Sequence, residues 1–182
     1  MPTLILGLAL WYAGHFFKRG LPGLRQGLGD PGKGVAALLV LGGVVLMVIG
    51  FRGSGPPQLW NPPAWTIHLN NLLVILAFYL FAVSGTKAGL ATRMRHPQLT
   101  GFKAWAVAHL LVNGDLASVV LFGGLLAWAV LEVIVINRAE PDWTPPAWGG
   151  RTAEVRAAVG TVILFAIVAA LHTWLGYWPF PG

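Results

Sequence analysis

The chain has 182 residues, of which 56% are hydrophobic and only 10% charged. A soluble domain carries about 25% charge, so the polar surface is too small to coat a water-soluble globule; the same figures exclude a disordered chain, and the lack of cysteine excludes a disulfide scaffold and thiolate metal sites. A polytopic membrane protein remains, and nine Trp and three Tyr suit its two interfaces with water.

A membrane helix needs ~20 apolar residues to cross a hydrocarbon core of ~30 Å. Six apolar runs meet or approach this, at residues 3–17, 34–51, 66–85, 100–112, 116–136 and 157–177. The first is short and leans on its flanks. It is not a cleaved signal peptide, because Lys18 and Arg19 follow the apolar run instead of preceding it. The second is nearly pure Val, Leu, Ala and Gly and does not alternate, which argues against a barrel strand and for a helix. Residues 53–65, rich in Pro, Gly and Trp, read as an interfacial loop. The fourth and fifth runs abut at Asn113-Gly114-Asp115, a turn signal followed by a helix N-cap. The spacing predicts a helical hairpin there. One kinked helix over 100–136 would be about 55 Å long, far beyond the core.

Orientation follows from Lys and Arg. Lys18, Arg19, Arg25 and Lys33 follow the first span; Lys87, Arg93, Arg95 and Lys103 follow the third; Arg138, Arg151 and Arg156 follow the fifth. Of the twelve basic residues only Arg52 falls on the other side. The positive-inside rule then makes the basic side cytoplasmic and both termini periplasmic. The basic excess is explained by topology and calls for no nucleic-acid partner. The reading is an all-α bundle of six transmembrane helices, a single membrane domain over 1–182.

Ionisable residues within a membrane are costly and mark function by default. Here they are His15, His68, His109, Asp115, Glu132 and His172, with His96 in a basic loop. There is no Gly-x-Ser-x-Gly, no His-Glu-x-x-His and no Walker A loop. Histidine ligation of a cofactor is what this inventory allows. His109 lies mid-span, with Trp105 and Asn113 on its helical face. Its alternative role is a hydrogen bond to a neighbouring helix. His172 lies in an otherwise apolar span. His68, with Asn71 on its face, suits interfacial hydrogen bonding. Glu132 is expected to pair with a loop Arg or to snorkel. Gly7, Gly14, Gly42, Gly43, Gly50, Gly123 and Gly124 suit helix packing, or clearance around a flat cofactor. Asp115 is expected to cap the fifth span by accepting from the backbone of Ala117 or Ser118, with Leu116 as first helical residue; its alternative role is proton donor to a bound ligand.

The stretch from Arg95-His96-Pro97 through Trp105, His109 and Asn113-Gly114-Asp115 to Ser118 resembles the signature of the NnrU family, and Leu121-Phe122-Gly123 and Leu126–Val130 continue it. Gly14-His15 and Leu171-His172 extend the resemblance over the whole chain. It implies a bacterial inner-membrane protein associated with denitrification and nitric-oxide metabolism. The family is similar to 15-cis-zeta-carotene isomerase, a membrane haem protein, which implies one haem b held through its iron by His15 and His109. Depth alone pairs His109 with His172, the reserve ligand. Arg93 and Arg95 join Lys18 and Arg19 in a cytoplasmic rim, set there by topology or pairing with haem propionates. A nitrogen oxide or a polyene is the implied ligand, and membrane lipid the surroundings. Whether the protein is an enzyme stays open. The rivals are a haem-dependent polyene isomerase and a haem-free transporter or assembly factor with a polar path through Asn70, Asn71, Asp115 and Glu132.

Overall fold

In the computed structural model, which describes residues 1–55 and 57–179, the backbone forms α1 (Pro2–Gly20), α2 (Pro22–Gly27), α3 (Pro31–Arg52), α4 (Thr66–Thr86), α5 (Pro97–Val112), α6 (Leu116–Ala139) and α7 (Gly150–Trp174), with a 3-10 turn at Gly89–Thr92. Pro56 of the interfacial loop and residues 180–182 lie outside the described residues. Proline opens α1, α2, α3 and α5. At the first helical position its fixed φ is already helical and its missing N–H has no intrahelical partner to lose. Each of the six apolar runs became a helix. The first and fourth are longer than their apolar cores, because Lys18 and Arg19 extend α1 and residues 97–99 begin α5. α2 and the 3-10 turn were not anticipated. Four helices are long and apolar enough to cross a membrane, namely α3, α4, α6 and α7. Among the described residues no strand occurs, only an isolated bridge between Gln58 and Asp115.

The chain divides into two compact units. The first comprises residues 1–61 and 113–141, hence α1, α2, α3 and α6. Its closest packing is α1 against α3, through glycine. A Cβ on Gly7 would stand 2.6 Å from the Met47 amide N, and one on Gly43 would stand 2.8 Å from both the Gly7 carbonyl and the Trp11 amide N. Gly14 faces Ala36 and Val40, and Gly50 faces the backbone of Leu4. Lipid gives no hydrophobic drive for helices to associate, so close backbone approach and dispersion supply it. These glycines are packing residues. Gly42 and Gly123 are not, since Gly42 meets only Leu10 at 3.8 Å and nothing lies near Gly123.

The expected hairpin at Asn113-Gly114-Asp115 takes a different form. The break falls where predicted, but α5 packs on α4 in the second unit and α6 packs on α1 in the first. Gly114 does not adopt a positive φ. Its carbonyl instead accepts from the amides of Leu59 (2.7 Å) and Trp60 (3.2 Å), and Leu116 N–H donates to the Pro57 carbonyl at 3.1 Å. A side chain at 114 would collide with the Trp60 carbonyl, so glycine is required by backbone approach.

The second unit comprises residues 62–112 and 142–182, hence α4, α5 and α7. α4 packs against both of the others. Its core is largely alanine: Ala77, Ala82, Ala88, Ala91, Ala106, Ala108, Ala153 and Ala157 are all buried. At one end Glu154 ties the unit together. Its Oε1 accepts from the Gly89 amide at 2.7 Å and the Trp148 indole N–H at 2.8 Å, while the Gly149 amide donates to the Lys87 carbonyl at 3.0 Å. These two hydrogen bonds hold the Glu154 carboxyl below the usual range.

Adjacent glycines on α3 give opposite expectations. Gly43→Ala should destabilise the detergent-solubilised protein by about 1–3 kcal/mol, because backbone on α1 cannot yield to the new methyl. Gly42→Ala has room and should stabilise by up to ~1 kcal/mol through helix propensity. Thermal unfolding followed by circular dichroism measures both.

Candidate functional site

Three histidines within the long helices share one geometry. His15 Nδ1–H donates to the Trp11 carbonyl at 2.9 Å, His109 Nδ1–H to the Trp105 carbonyl at 3.0 Å, and His172 Nδ1–H to the Val168 carbonyl at 2.8 Å. A carbonyl oxygen only accepts, so Nδ1 must carry the proton in each case. The neutral ring then holds its lone pair on Nε2. This is the arrangement in which a backbone carbonyl orients an imidazole for metal ligation.

His15 belongs to the first unit. Its ring lies 4.2 Å from the Trp11 ring and 4.5 Å from the Trp128 ring, centroid to centroid. Trp11, His15 and Arg19 recur at i, i+4 and i+8 on one face of α1; Trp128 and Glu132 repeat the spacing on α6. Arg19 bridges two carboxylates, Glu132 Oε1 at 3.4 Å and Glu140 Oε1 at 2.9 Å. Glu132 is buried, and its Oε2 has no hydrogen-bond partner among the described residues. The expected arginine partner of Glu132 is therefore real, but it comes from the last turn of α1 and not from a loop. Tyr12 OH donates to the Gly124 carbonyl at 2.6 Å and fixes the same pair of helices.

His109 and His172 both belong to the second unit. The Trp105 ring packs at a tilt against His109, with ring centroids 4.9 Å apart, so a Trp-x-x-x-His pair occurs in each unit. The first copy, Trp11 and His15, was legible from spacing alone but was not singled out. Arg93 and Arg95 precede α5, at the opposite end from His109. The rise from Pro97 to His109 is about 18 Å, which suits the topological role of these arginines. His96 closes the first turn of α5 through its carbonyl, which accepts from the Thr100 amide at 2.9 Å. His68 is exposed near the start of α4. The proposed polar path divides: Asn70 and Asn71 lie on α4, while Asp115 and Glu132 lie at opposite ends of α6, each engaged locally.

Asp115 is the N-cap of α6. Its Oδ1 accepts from the Ser118 amide at 2.8 Å, as expected, and its Oδ2 accepts from the Ser118 hydroxyl at 2.6 Å. Burial pushes this carboxyl up, but the hydrogen bonds from Ser118 and from nearby backbone amides outweigh it and bring it below the usual range. The cap is thus fully formed above the ordinary Asp pKa of about 3.9, and its contribution is lost as pH falls through the lowered folded value.

Asp115→Asn should be mild, since Asn caps about as well, whereas Asp115→Ala should cost ~1 kcal/mol. If Asp115 is a proton donor instead, Asp115→Asn should abolish activity while folding stays intact. Chemical or thermal unfolding at pH 7 reads the difference.

Comparison with protein families gives one match: the family model described as NnrU protein aligns with residues 3–179. Comparisons with curated proteins and with solved structures gave no match.

Proposed function

The chain belongs to the NnrU family, and on that premise we propose that it is a six-span inner-membrane protein that binds one haem b and supports nitrogen-oxide reduction. The observation that carries this reading is His109. It sits within α5, its Nδ1 proton is engaged by the Trp105 carbonyl, and its lone pair is thereby assigned to Nε2. The donor set fits the group. Among the described residues no three His, Asp or Glu converge to hold a bare ion. Haem brings its own four nitrogens and asks the protein for one or two axial ligands.

When bound, haem supplies reversible one-electron chemistry and an iron able to coordinate a nitrogen oxide. The rest falls to this chain. Trp105 and the α5 backbone fix the His109 ring and its tautomer. Apolar walls exclude water and lower the local dielectric, which strengthens every remaining polar contact. Two histidines compete for the second axial position. Family resemblance points to His15, which carries the same Trp-x-x-x-His geometry as His109. Membership of the same unit as His109 points to His172.

The six-span topology rests on charge asymmetry and helix length. α1 and α5 are about 28 Å and 24 Å long at 1.5 Å per residue. The Met1 amine donates to Ser54 Oγ at 3.1 Å, and residues 57–60 pair with 114–116, so the expected outer segments gather at one end of the first unit.

Protein purified in mild detergent should show the absorption spectrum of non-covalent haem b. His109→Ala should abolish it and His96→Ala should keep it. A colourless preparation that takes up no added haemin would overturn the reading. His15→Ala and His172→Ala assign the second ligand, because the correct one converts a low-spin spectrum to high-spin. Separately, a C-terminal alkaline phosphatase fusion should be active and a fluorescent-protein fusion dark, as periplasmic termini require.

A further inference from the structure

No apolar run announces α2, yet it carries an apolar face of its own. It joins α1 to α3, which run antiparallel, since Gly7 meets Gly43 and Met47 while Gly14 meets Ala36 and Val40. Helical hydrogen bonds extend past it on both sides: the Arg25 amide donates to the Leu21 carbonyl at 2.9 Å and the Leu28 amide to the Leu24 carbonyl at 3.1 Å. At about 100° per residue, Leu21, Leu24 and Leu28 fall within about 60° of one another, and Gln26 lies nearly opposite Leu24. Leu21 and Leu24 are more than half exposed and Leu28 more than a third. An outward leucine stripe backed by a polar side is the pattern of a helix that lies in a membrane interface.

Arg25 decides which way the stripe looks. Gly29, with φ of 57°, turns the chain back toward α3. Arg25 Nη1 donates to the Gly29 carbonyl at 2.6 Å, and a Cβ on Gly32, in the first turn of α3, would stand 2.8 Å from the same Nη1 and 3.2 Å from the Arg25 carbonyl. Arg25 therefore lies against α3, and the leucines, about 40–100° around the helix from it, face outward. The depth agrees as well. The apolar part of α1 ends at Phe17, one turn before Leu21, and that of α3 begins at Val35, one turn after Pro31. One turn rises about 5.4 Å, and an in-plane helix sinks its apolar face about 5–10 Å into the boundary between headgroups and acyl chains. Val35 and Leu38 are exposed on the adjoining turns of α3, so the outward apolar surface continues there. Lys18 and Lys33 are exposed on either side of α2, and Asp30, the sole acid between them in the sequence, is paired with Lys33 at 2.9 Å. The surroundings of the stripe thus suit phosphate groups.

We propose that α2 lies in the plane of the membrane, with Leu21, Leu24 and Leu28 inserted at the headgroup–acyl boundary of a phospholipid leaflet. Held there, it fixes the depth of the α1–α3 pair. Arg25 acts as a positioning residue, since it ties α2 to the start of α3 and turns the leucines toward lipid. The contact involves no histidine and is independent of the haem reading.

The test uses nitroxide labels on single cysteines in the full chain, reconstituted into phospholipid vesicles. The chain has no cysteine, so each label stands alone. Leu24→Cys reports the stripe, Gln26→Cys the opposite side, and Leu38→Cys, on the exposed face of α3, is the reference for hydrocarbon. Paramagnetic relaxation is compared between oxygen, which collects in hydrocarbon, and a nickel chelate, which stays in water. The Leu24 label should favour oxygen over nickel several-fold more than the Gln26 label, and so should the Leu38 label. Arg25→Gln should erase the contrast between positions 24 and 26 and leave the Leu38 label unchanged, which separates loss of orientation from misfolding. Labels at 24 and 26 that meet nickel equally, with the Leu38 label sheltered, would overturn the proposal. A contrast that survives Arg25→Gln would overturn the role of Arg25. A Leu38 label open to nickel would overturn the spanning of α3, and this proposal with it.

Discussion

A polar group in hydrocarbon has no water to turn to, so it must find its partner within the chain. Seven hydroxyl and imidazole side chains solve the problem in the same way. Ser54, Thr86, Thr161 and Thr173 each donate a hydroxyl proton to the carbonyl one turn earlier. His15, His109 and His172 do the same through Nδ1. For a hydroxyl this satisfies the donor and ends the matter. For an imidazole it does more, because fixing the proton on one nitrogen fixes the lone pair on the other. A local rule of membrane chemistry thereby turns three apolar helices into presenters of a ligating or accepting atom. Asp115 finds its partner three residues on, in Ser118 of the helix it caps, while other groups reach further and define the remaining architecture: Arg19 reaches Glu132, and Glu154 gathers Gly89 and Trp148.

Within each unit, small residues decide how close the helices come. The first unit uses glycine, and backbone meets backbone along α1 and α3. The core of the second is largely alanine, with Gly101 of α5 pressed against the Ala77 carbonyl of α4. Both are ways of packing where burial from water supplies no drive between helices. The polar groups differ as well. The first unit pairs half-buried Arg19, in the last turn of α1, with buried Glu132 of α6. The second unit accommodates two histidines and an asparagine pair.

Much of this was legible in the sequence because it depends on local spacing. Apolar runs located all six long helices, and Asp115 announced its cap through its position before Leu116. The three intramembrane histidines stood out by simple rarity. What stayed hidden depends on which helix meets which. Nothing in Asn113-Gly114-Asp115 says that α5 and α6 part company, because the cause is the approach of residues 57–60 to the Gly114 carbonyl. Nothing near Glu132 names Arg19, over a hundred residues earlier. Among seven similar glycines, only contact separates Gly43, pressed against α1, from its neighbour Gly42.

The first unit is discontinuous: residues 62–112 intervene before α6 completes it. During synthesis, α1 and α3 leave the ribosome long before α6. At roughly 5–20 residues per second, the interval between residue 61 and Glu132 is several seconds. Throughout it Arg19 has no Glu132 to neutralise it and α1 has no Trp128 to cover His15. The pair α1 and α3 must therefore persist in the bilayer on glycine packing alone, with an uncompensated guanidinium at its inner edge. That charge has no partner from α6 until Glu132 is made. Only when α6 inserts does it become a structural ion pair. The arginine thus clasps the unit only once its last helix is in place.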